Sequence, residues 1–160
     1  MEIKKKERKK LSGRIRLIAK NILTGKIEIS DWHKNYITAV GCDAILNRLA
    51  GLNLKANEGK ITYGAVGTGA IAPSVSSTTI SGEFATSRQV VNSAEVSNGI
   101  LLIRVFFDKA EANGTLTNFG LFGEDATSTA DTGTLFEIVN ISYTKTAAVT
   151  LTIEVEINLN

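Results

Sequence analysis

The stretch ITYGAVGTGAIAPS, residues 61–74, has the spacing with the clearest chemical meaning. A β-prone run ends in Gly67-Thr68-Gly69, and Ala72 completes a G-x-G-x-x-A pattern. In a dinucleotide-binding turn such glycines let the backbone approach a pyrophosphate, which the positive end of the next helix then holds. Here Pro73 and a Ser/Thr run from Ser74 to Thr79 follow, which make a poor helix, and no strand–helix–strand alternation comes after them. The phosphate would have no helix dipole to meet. The glycines therefore read as backbone devices, allowing a positive φ or a close approach where a strand leaves its sheet. No P-loop pattern occurs either, and no cofactor is expected.

The other reactive residues form no convincing set. His33 is the single histidine, with Ser30 and Asp31 just before it. Positions i and i+2 of a strand share a face, so Asp31 and His33 can touch, but Ser30 faces the other way and no nucleophile elbow surrounds it. One histidine and one cysteine, Cys42, leave neither a zinc ligand set nor an intrachain disulfide. Cys42, close to Ala44 and Ile45, reads as a small core residue. Glu124, Asp125 and Asp131 share the loop GEDATSTAD but lack the alternate spacing of a calcium loop. Asp43, Glu58, Asp108 and Glu111 are scattered, and nothing selects a carboxylate pair for glycoside hydrolysis. Trp32, Tyr36, Tyr63 and Tyr143 are too dispersed for a sugar-binding platform. The expectation is a chain with no catalytic residue, no metal and no small-molecule substrate.

The elements that would position these residues are mostly strands. The chain has 160 residues, 43% hydrophobic and 21% charged, which suits one globular domain. No apolar run nears the roughly 20 residues of a membrane span, and the basic start is too interrupted for a signal peptide. The net charge of +2 hides an asymmetry. Residues 1–20 carry +7 and the remainder −5. Residues 1–12, with Lys4, Lys5, Lys6, Arg8, Lys9 and Lys10, read as a flexible basic arm, and residues 13–160 as the domain. Such an arm suits a solvated tail with no partner, an acidic protein neighbour or a weak nucleic-acid contact.

RIRLIAKNI and KIEISDWHKNYI flank Leu23-Thr24-Gly25 and predict a hairpin. TAVGCDAILNRLAGL changes period: Ile37, Val40, Ala44, Ile45, Leu49 and Leu52 fall on one helical face. The spacing predicts a helix over 38–50, capped by Thr38 and closed by Gly51, with Asp43 and Arg48 suiting its dipole. A strand over 60–66 leads into residues 68–87, a long polar connection with nine Ser or Thr and one expected helical turn near Ile80 to Phe84. Further strands follow, hinged at Asn98-Gly99 and Asn113-Gly114, and GILLIRVFF, apolar on both faces, belongs at a sheet centre. Phe106, Phe107, Phe119, Phe122 and Phe136 read as core. The last strand alternates Leu151, Ile153, Val155, Ile157 and Leu159 with Thr152, Glu154, Glu156 and Asn158. Together these predict a mainly β protein, an antiparallel β-sandwich of about eight strands with one helix.

Three segments, within residues 26–160, resemble a family of small tailed-bacteriophage virion proteins. Lys34, Asn35, Ile37, Gly41, Ile45, Leu49 and Gly51 match its helix entry. Gly67, Thr68, Gly69, Ala72, Pro73, Glu83 and Arg88 match the G-T-G-x-x-A-P and T-x-L-x-x-E-x-x-R stretches, with Ile80 in place of Leu and two extra residues before Arg88. Gly114-Thr115, Gly120-Leu121-Phe122, Gly133-Thr134-Leu135 and Lys145-Thr146 match its C-terminal half, while Asn118 stands where many relatives carry Glu. The resemblance implies a non-enzymatic structural protein of the virion, tail- or neck-associated as collar, baseplate or fibre attachment. Capsid decoration, or a receptor- or glycan-binding fibre module, are its variants. It implies a homo-oligomer bound to other virion proteins. Within this reading the loop marked by Gly67, Gly69, Pro73, Glu83 and Arg88 is expected at a subunit contact, with the arm docking onto a neighbour.

Overall fold

The computed structural model describes residues 11–52, 59–84 and 86–159. In chain order these form β1 (Leu11–Asn21), β2 (Ile27–Ile29), β3 (His33–Lys34), β4 (Tyr36–Ile37), α1 (Ala39–Ala50), β5 (Ile61–Gly67), β6 (Gln89–Ser97), β7 (Ile100–Phe107), β8 (Gly114–Gly123), β9 (Thr134–Lys145) and β10 (Val149–Leu159). The protein is mainly β, with pairings antiparallel throughout. Its strands lie in the order β2-β1-β10-β7-β6-β5-β8-β9-β4, and β3 also pairs with β1.

The expected two-sheet sandwich is instead one sheet curled into a half-barrel, and β6 makes the corner. Gln89 and Val90 pair with Gly64 and Tyr63 of β5, whereas Val91 onward pairs with β7, with a register shift between Val91 and Ser93. A bulge of this kind lets one strand serve both halves. The concave faces then meet. Ile15 and Leu17 of β1, Val105 and Phe107 of β7, Phe119 of β8 and Ile153 of β10 belong to one buried cluster. A smaller cluster, with Ile80, Phe122 and Leu135, lies on the outer side of β8 and β9 beneath the 68–87 loop.

Ten strands replace the expected eight because the segment after the first hairpin is divided. β2 pairs with β1, as the hairpin predicts. β3 also pairs with β1, through Arg14 opposite Lys34 and Ile15 opposite His33. β4, one residue later, pairs with β9, placing Tyr36 opposite Ile138 and Ile37 opposite Glu137. Residues 33–37 thus span the gap between the two ends of the curl.

The helix matches its expected bounds. The Thr38 hydroxyl accepts from the Gly41 N–H at 3.0 Å, and Gly51 closes the helix with φ +66°. Gly41 lets α1 lie directly on β9, since a Cβ there would sit 2.6 Å from Phe136 Cα. Two details differ. Asp43 lies beyond the first turn, which holds no acidic residue. The predicted apolar face is largely outward: Gly41 and Ala44 are buried, while Val40, Leu49 and Leu52 are exposed. Cys42 is half-buried.

The Asn98-Gly99 hairpin is present, both residues having positive φ, and β7 is interior between β10 and β6. Phe106, read as core, is exposed on the convex side, whereas Phe107, Phe119, Phe122 and Phe136 are buried. The last strand buries Leu151, Ile153, Val155 and Ile157 as predicted, but Leu159 is exposed and Glu154 is buried. No helical turn forms near Ile80 to Phe84. Glu83 there makes an isolated β-bridge to Gly67. Lys4, Lys5, Lys6, Arg8, Lys9 and Lys10 lie outside the described residues, and Leu11 and Ser12, expected in the arm, belong to β1.

Candidate functional site

The glycine motif is a packing device. The Thr68 N–H donates to the Gly82 carbonyl at 3.2 Å and the Gly69 N–H to the Ser81 carbonyl at 3.0 Å. These are the N–H groups a pyrophosphate would need, and the chain itself occupies them. A Cβ on Gly67 would meet the Ser81 carbonyl oxygen at 2.1 Å, and one on Gly69 the Ser81 hydroxyl at 2.2 Å. Close approach, not a positive φ, is what both positions require. The positive φ is at Gly82, +67°.

Asn118, unremarkable in sequence except as a departure from the resemblance, is the hub of this junction. It is fully buried. Its Nδ2 donates to the carbonyls of Gly69 at 2.9 Å and Ser81 at 3.0 Å, and its Oδ1 accepts from the Ser81 N–H at 3.2 Å. The neighbouring Thr117 hydroxyl donates to the Gly69 carbonyl at 2.7 Å. A neutral amide offers both a donor and an acceptor, which a carboxylate cannot, so Asn is the type this contact set demands.

Glu83 and Arg88 form the second fastening. Arg88 Nε donates to Glu83 Oε1 at 2.7 Å and Nη2 to Oε2 at 2.9 Å, a two-point pair whose side chains are 1% exposed on each side. Arg88 Nη1 donates to the Thr132 carbonyl at 2.7 Å, and the guanidinium lies 4.2 Å from the Phe122 ring centroid. The far Glu83 oxygen accepts from the Asp131 N–H at 3.3 Å. The pair ties the 68–87 loop to the 124–133 loop inside one chain. Pro73 is half-buried and lines a shallow outer cleft with Tyr36, Ala72 and Asn140.

The remaining reactive groups are dispersed. The Ser30 hydroxyl accepts from the Leu17 N–H at 3.0 Å and donates to the Asp31 carbonyl at 2.8 Å. Among the described residues no hydrogen bond joins Ser30 or Asp31 to His33, which is exposed. Glu124 turns inward to the Thr134 hydroxyl, while Asp131 accepts from the Thr79 hydroxyl at 3.1 Å. Among the described residues no three His, Cys, Asp or Glu side chains gather into a metal-sized group. Trp32, considered for sugar binding, packs against two cations instead. Arg14 and Arg16 lie 4.5 and 4.7 Å from its ring centroid while pairing with Glu156 and Glu154.

Several apolar side chains are exposed on the fastened loop, β4 and α1. The Ala39 N–H donates to the Val75 carbonyl at 2.7 Å, which joins the loop to the start of α1. Val75 is 59% exposed and Leu49 is 80% exposed, with Tyr36, Val40 and Leu46 also open. A cavity of about 560 Å³ opens between β1–β2 and β9, with Leu17, Ala19 and Ile141 inside and Glu28, His33 and Ser142 at the rim. No family model, curated protein or solved structure matches the chain.

Proposed function

We propose that this chain is a non-enzymatic structural component of a bacteriophage virion, tail- or neck-associated, working as symmetric copies in contact with other virion proteins. The sequence motifs suggest the class. The observation that carries the reading is the fastened loop: Asn118 and the Glu83–Arg88 pair hold residues 68–87 against the body, so Val75 stands as a fixed apolar surface beside Tyr36 and Val40. Contiguous exposed apolar surface of this kind marks a protein contact. Gly67, Gly69, Glu83 and Arg88 then shape the contact from within, and the exposed residues of the loop and α1 make it. The basic arm adds a charge-guided contact to an acidic neighbour.

The test is incorporation. A tagged full-length copy, present during phage growth, is recovered in density-purified particles by mass spectrometry. A copy lacking residues 1–10 melts as cooperatively as the full chain but is lost from particles. Absence of the full-length copy from particles overturns the virion assignment, and normal incorporation of the shortened one overturns the role of the arm.

A further inference from the structure

Asn35 is the residue between β3 and β4, where the chain crosses from the β1 edge of the curl to the β9 edge. Its N–H donates to the Gly13 carbonyl at 3.2 Å. Its side chain turns inward, and Nδ2 donates to Glu137 Oε2 at 2.6 Å. Gly13 makes room for it: a Cβ there would sit 2.2 Å from Asn35 Oδ1. Asn35 is buried and Glu137 completely so. Two buried atoms of this pair lack a hydrogen-bond partner, Asn35 Oδ1 and Glu137 Oε1. They are the second oxygens of the two planar groups already joined by one bond. With Glu137 ionised both are acceptors and neither can serve the other, whereas a proton on the carboxyl turns Oε1 into a donor.

We propose that Glu137 is a proton-binding site: Oε1 carries a proton and donates it to Asn35 Oδ1, closing a two-bond acid–amide pair that latches residues 33–37 across β1 and β9. The proton satisfies both orphaned atoms at once and removes the need to bury an unpaired charge.

Among the described residues no neighbouring cation offers the alternative of an ion pair. β1 directs Arg14 and Arg16 to its outer face, where Glu156 and Glu154 hold them. β3 exposes Lys34 and β4 exposes Tyr36. α1 contributes Cys42, half-buried, and Asp43, exposed, while β8 places the apolar Leu121 opposite Glu137. On β9 itself Lys145 is committed to the Asp108 carbonyl at 2.6 Å, and Tyr143 lines a separate cleft with Glu28. Burial pushes the Glu137 carboxyl well above its ordinary value, and the Asn35 bond only partly opposes this. A group whose folded pKa is raised stabilises the fold fully below its unfolded value, and that stability is lost as pH rises through the folded pKa. The latch is therefore closed in acid and released toward alkaline pH.

The experiment needs only the isolated chain, so its outcome is independent of whether the chain enters particles. Between the ordinary carboxyl pKa and the raised one, the wild-type melting temperature falls by about 4 °C per pH unit more than that of Glu137→Gln. The glutamine keeps both bonds without a titrating proton, so its curve lacks this slope. Amide exchange follows suit: above the transition, the Asn35 and Thr38 N–H groups, bonded to the Gly13 and Phe136 carbonyls, exchange faster in wild type than in Glu137→Gln. If the glutamine variant does not fold, ¹³C NMR of the wild-type Glu137 carboxyl decides, since the proposal requires it to stay protonated through the range in which an ordinary carboxyl ionises. A carboxyl that titrates in the ordinary range, or identical pH slopes in wild type and Glu137→Gln, overturns the proposal.

Discussion

Two buried side-chain pairs cross-link this protein, and they solve the same problem in opposite ways. Glu83–Arg88 is a saturated salt bridge: both carboxyl oxygens face the guanidinium, and the remaining donors reach carbonyls and a ring. Asn35–Glu137 has no cation among the described residues, and one oxygen on each side lacks a donor. The first pair fastens a loop onto the convex side, where a neighbouring loop supplies the extra acceptors. The second sits inside the curl among apolar strands, where a charge would find no such company. A buried carboxyl keeps its charge where a fork of donors meets it, and holds a proton where only one donor does.

Removing one partner from each pair should separate these cases. Arg88→Met strands a buried carboxylate and frees the Thr132 carbonyl, and an expected loss of about 3–5 kcal/mol makes it the most damaging of the changes considered. Asn35→Ala leaves a neutral acid short of a partner, an expected loss of about 1–3 kcal/mol. Urea unfolding of both variants measures the difference. If Arg88→Met costs no more than Asn35→Ala, the loop fastening is not the stronger link that its geometry describes.

The same contrast applies to the glycines beside each pair. At Gly67 an added Cβ would strike the Ser81 backbone carbonyl at 2.1 Å, and backbone cannot step aside cheaply. Gly67→Ala should cost about 1–3 kcal/mol, comparable to other overpacking changes. At Gly13 the obstacle is the end of the Asn35 side chain, which can turn aside by giving up its bond to Glu137. Gly13→Ala should therefore shift the urea midpoint less than Gly67→Ala. A larger shift at Gly13 would mean that Asn35 is held more rigidly than the Ser81 backbone.

Local signals were legible in the sequence and closure was not. Thr38 and Gly51 mark the helix ends because capping depends on the residue itself, and Asn98-Gly99 marks its hairpin for the same reason. The division of residues 27–37 into three short strands depends on which edge lies nearby, which only the assembled sheet decides. Glu137, in the run LFEIVNISY, looks like a solvent-facing position, but a register shift between Leu121 and Phe122 resets the alternation there, and Glu137 is buried. Asn118 could be noticed as a departure from the resemblance but not assigned, since its partners, Gly69 and Ser81, lie on a loop far from it in sequence. The glycine motif was legible as a backbone feature, although what it packs against, Ser81 and Gly82, was not.

Glu154 completes the comparison from the opposite side of the pH scale. It sits on β10 between Arg16 of β1 and Arg104 of β7, with Nε–O distances of 2.7 and 2.8 Å. Burial pushes its carboxyl up, but the hydrogen bonds and charges of Arg104 and Arg16 together outweigh that and hold it below its ordinary value. A lowered folded pKa gives stability that is present above the unfolded value and lost as pH falls through the folded one. This is the reverse of Glu137, so the two groups pull stability down at opposite ends of the range. Because the arginines are about a third exposed, solvent screens the interaction, and Glu154→Gln should cost about 1 kcal/mol near neutrality. Melting curves of wild type and Glu154→Gln should converge as acid protonates Glu154, and added salt should narrow the neutral-pH difference. A difference that persists unchanged into acid would place the loss in packing rather than in charge, and would leave Glu137 as the only one of the two whose protonation the fold senses.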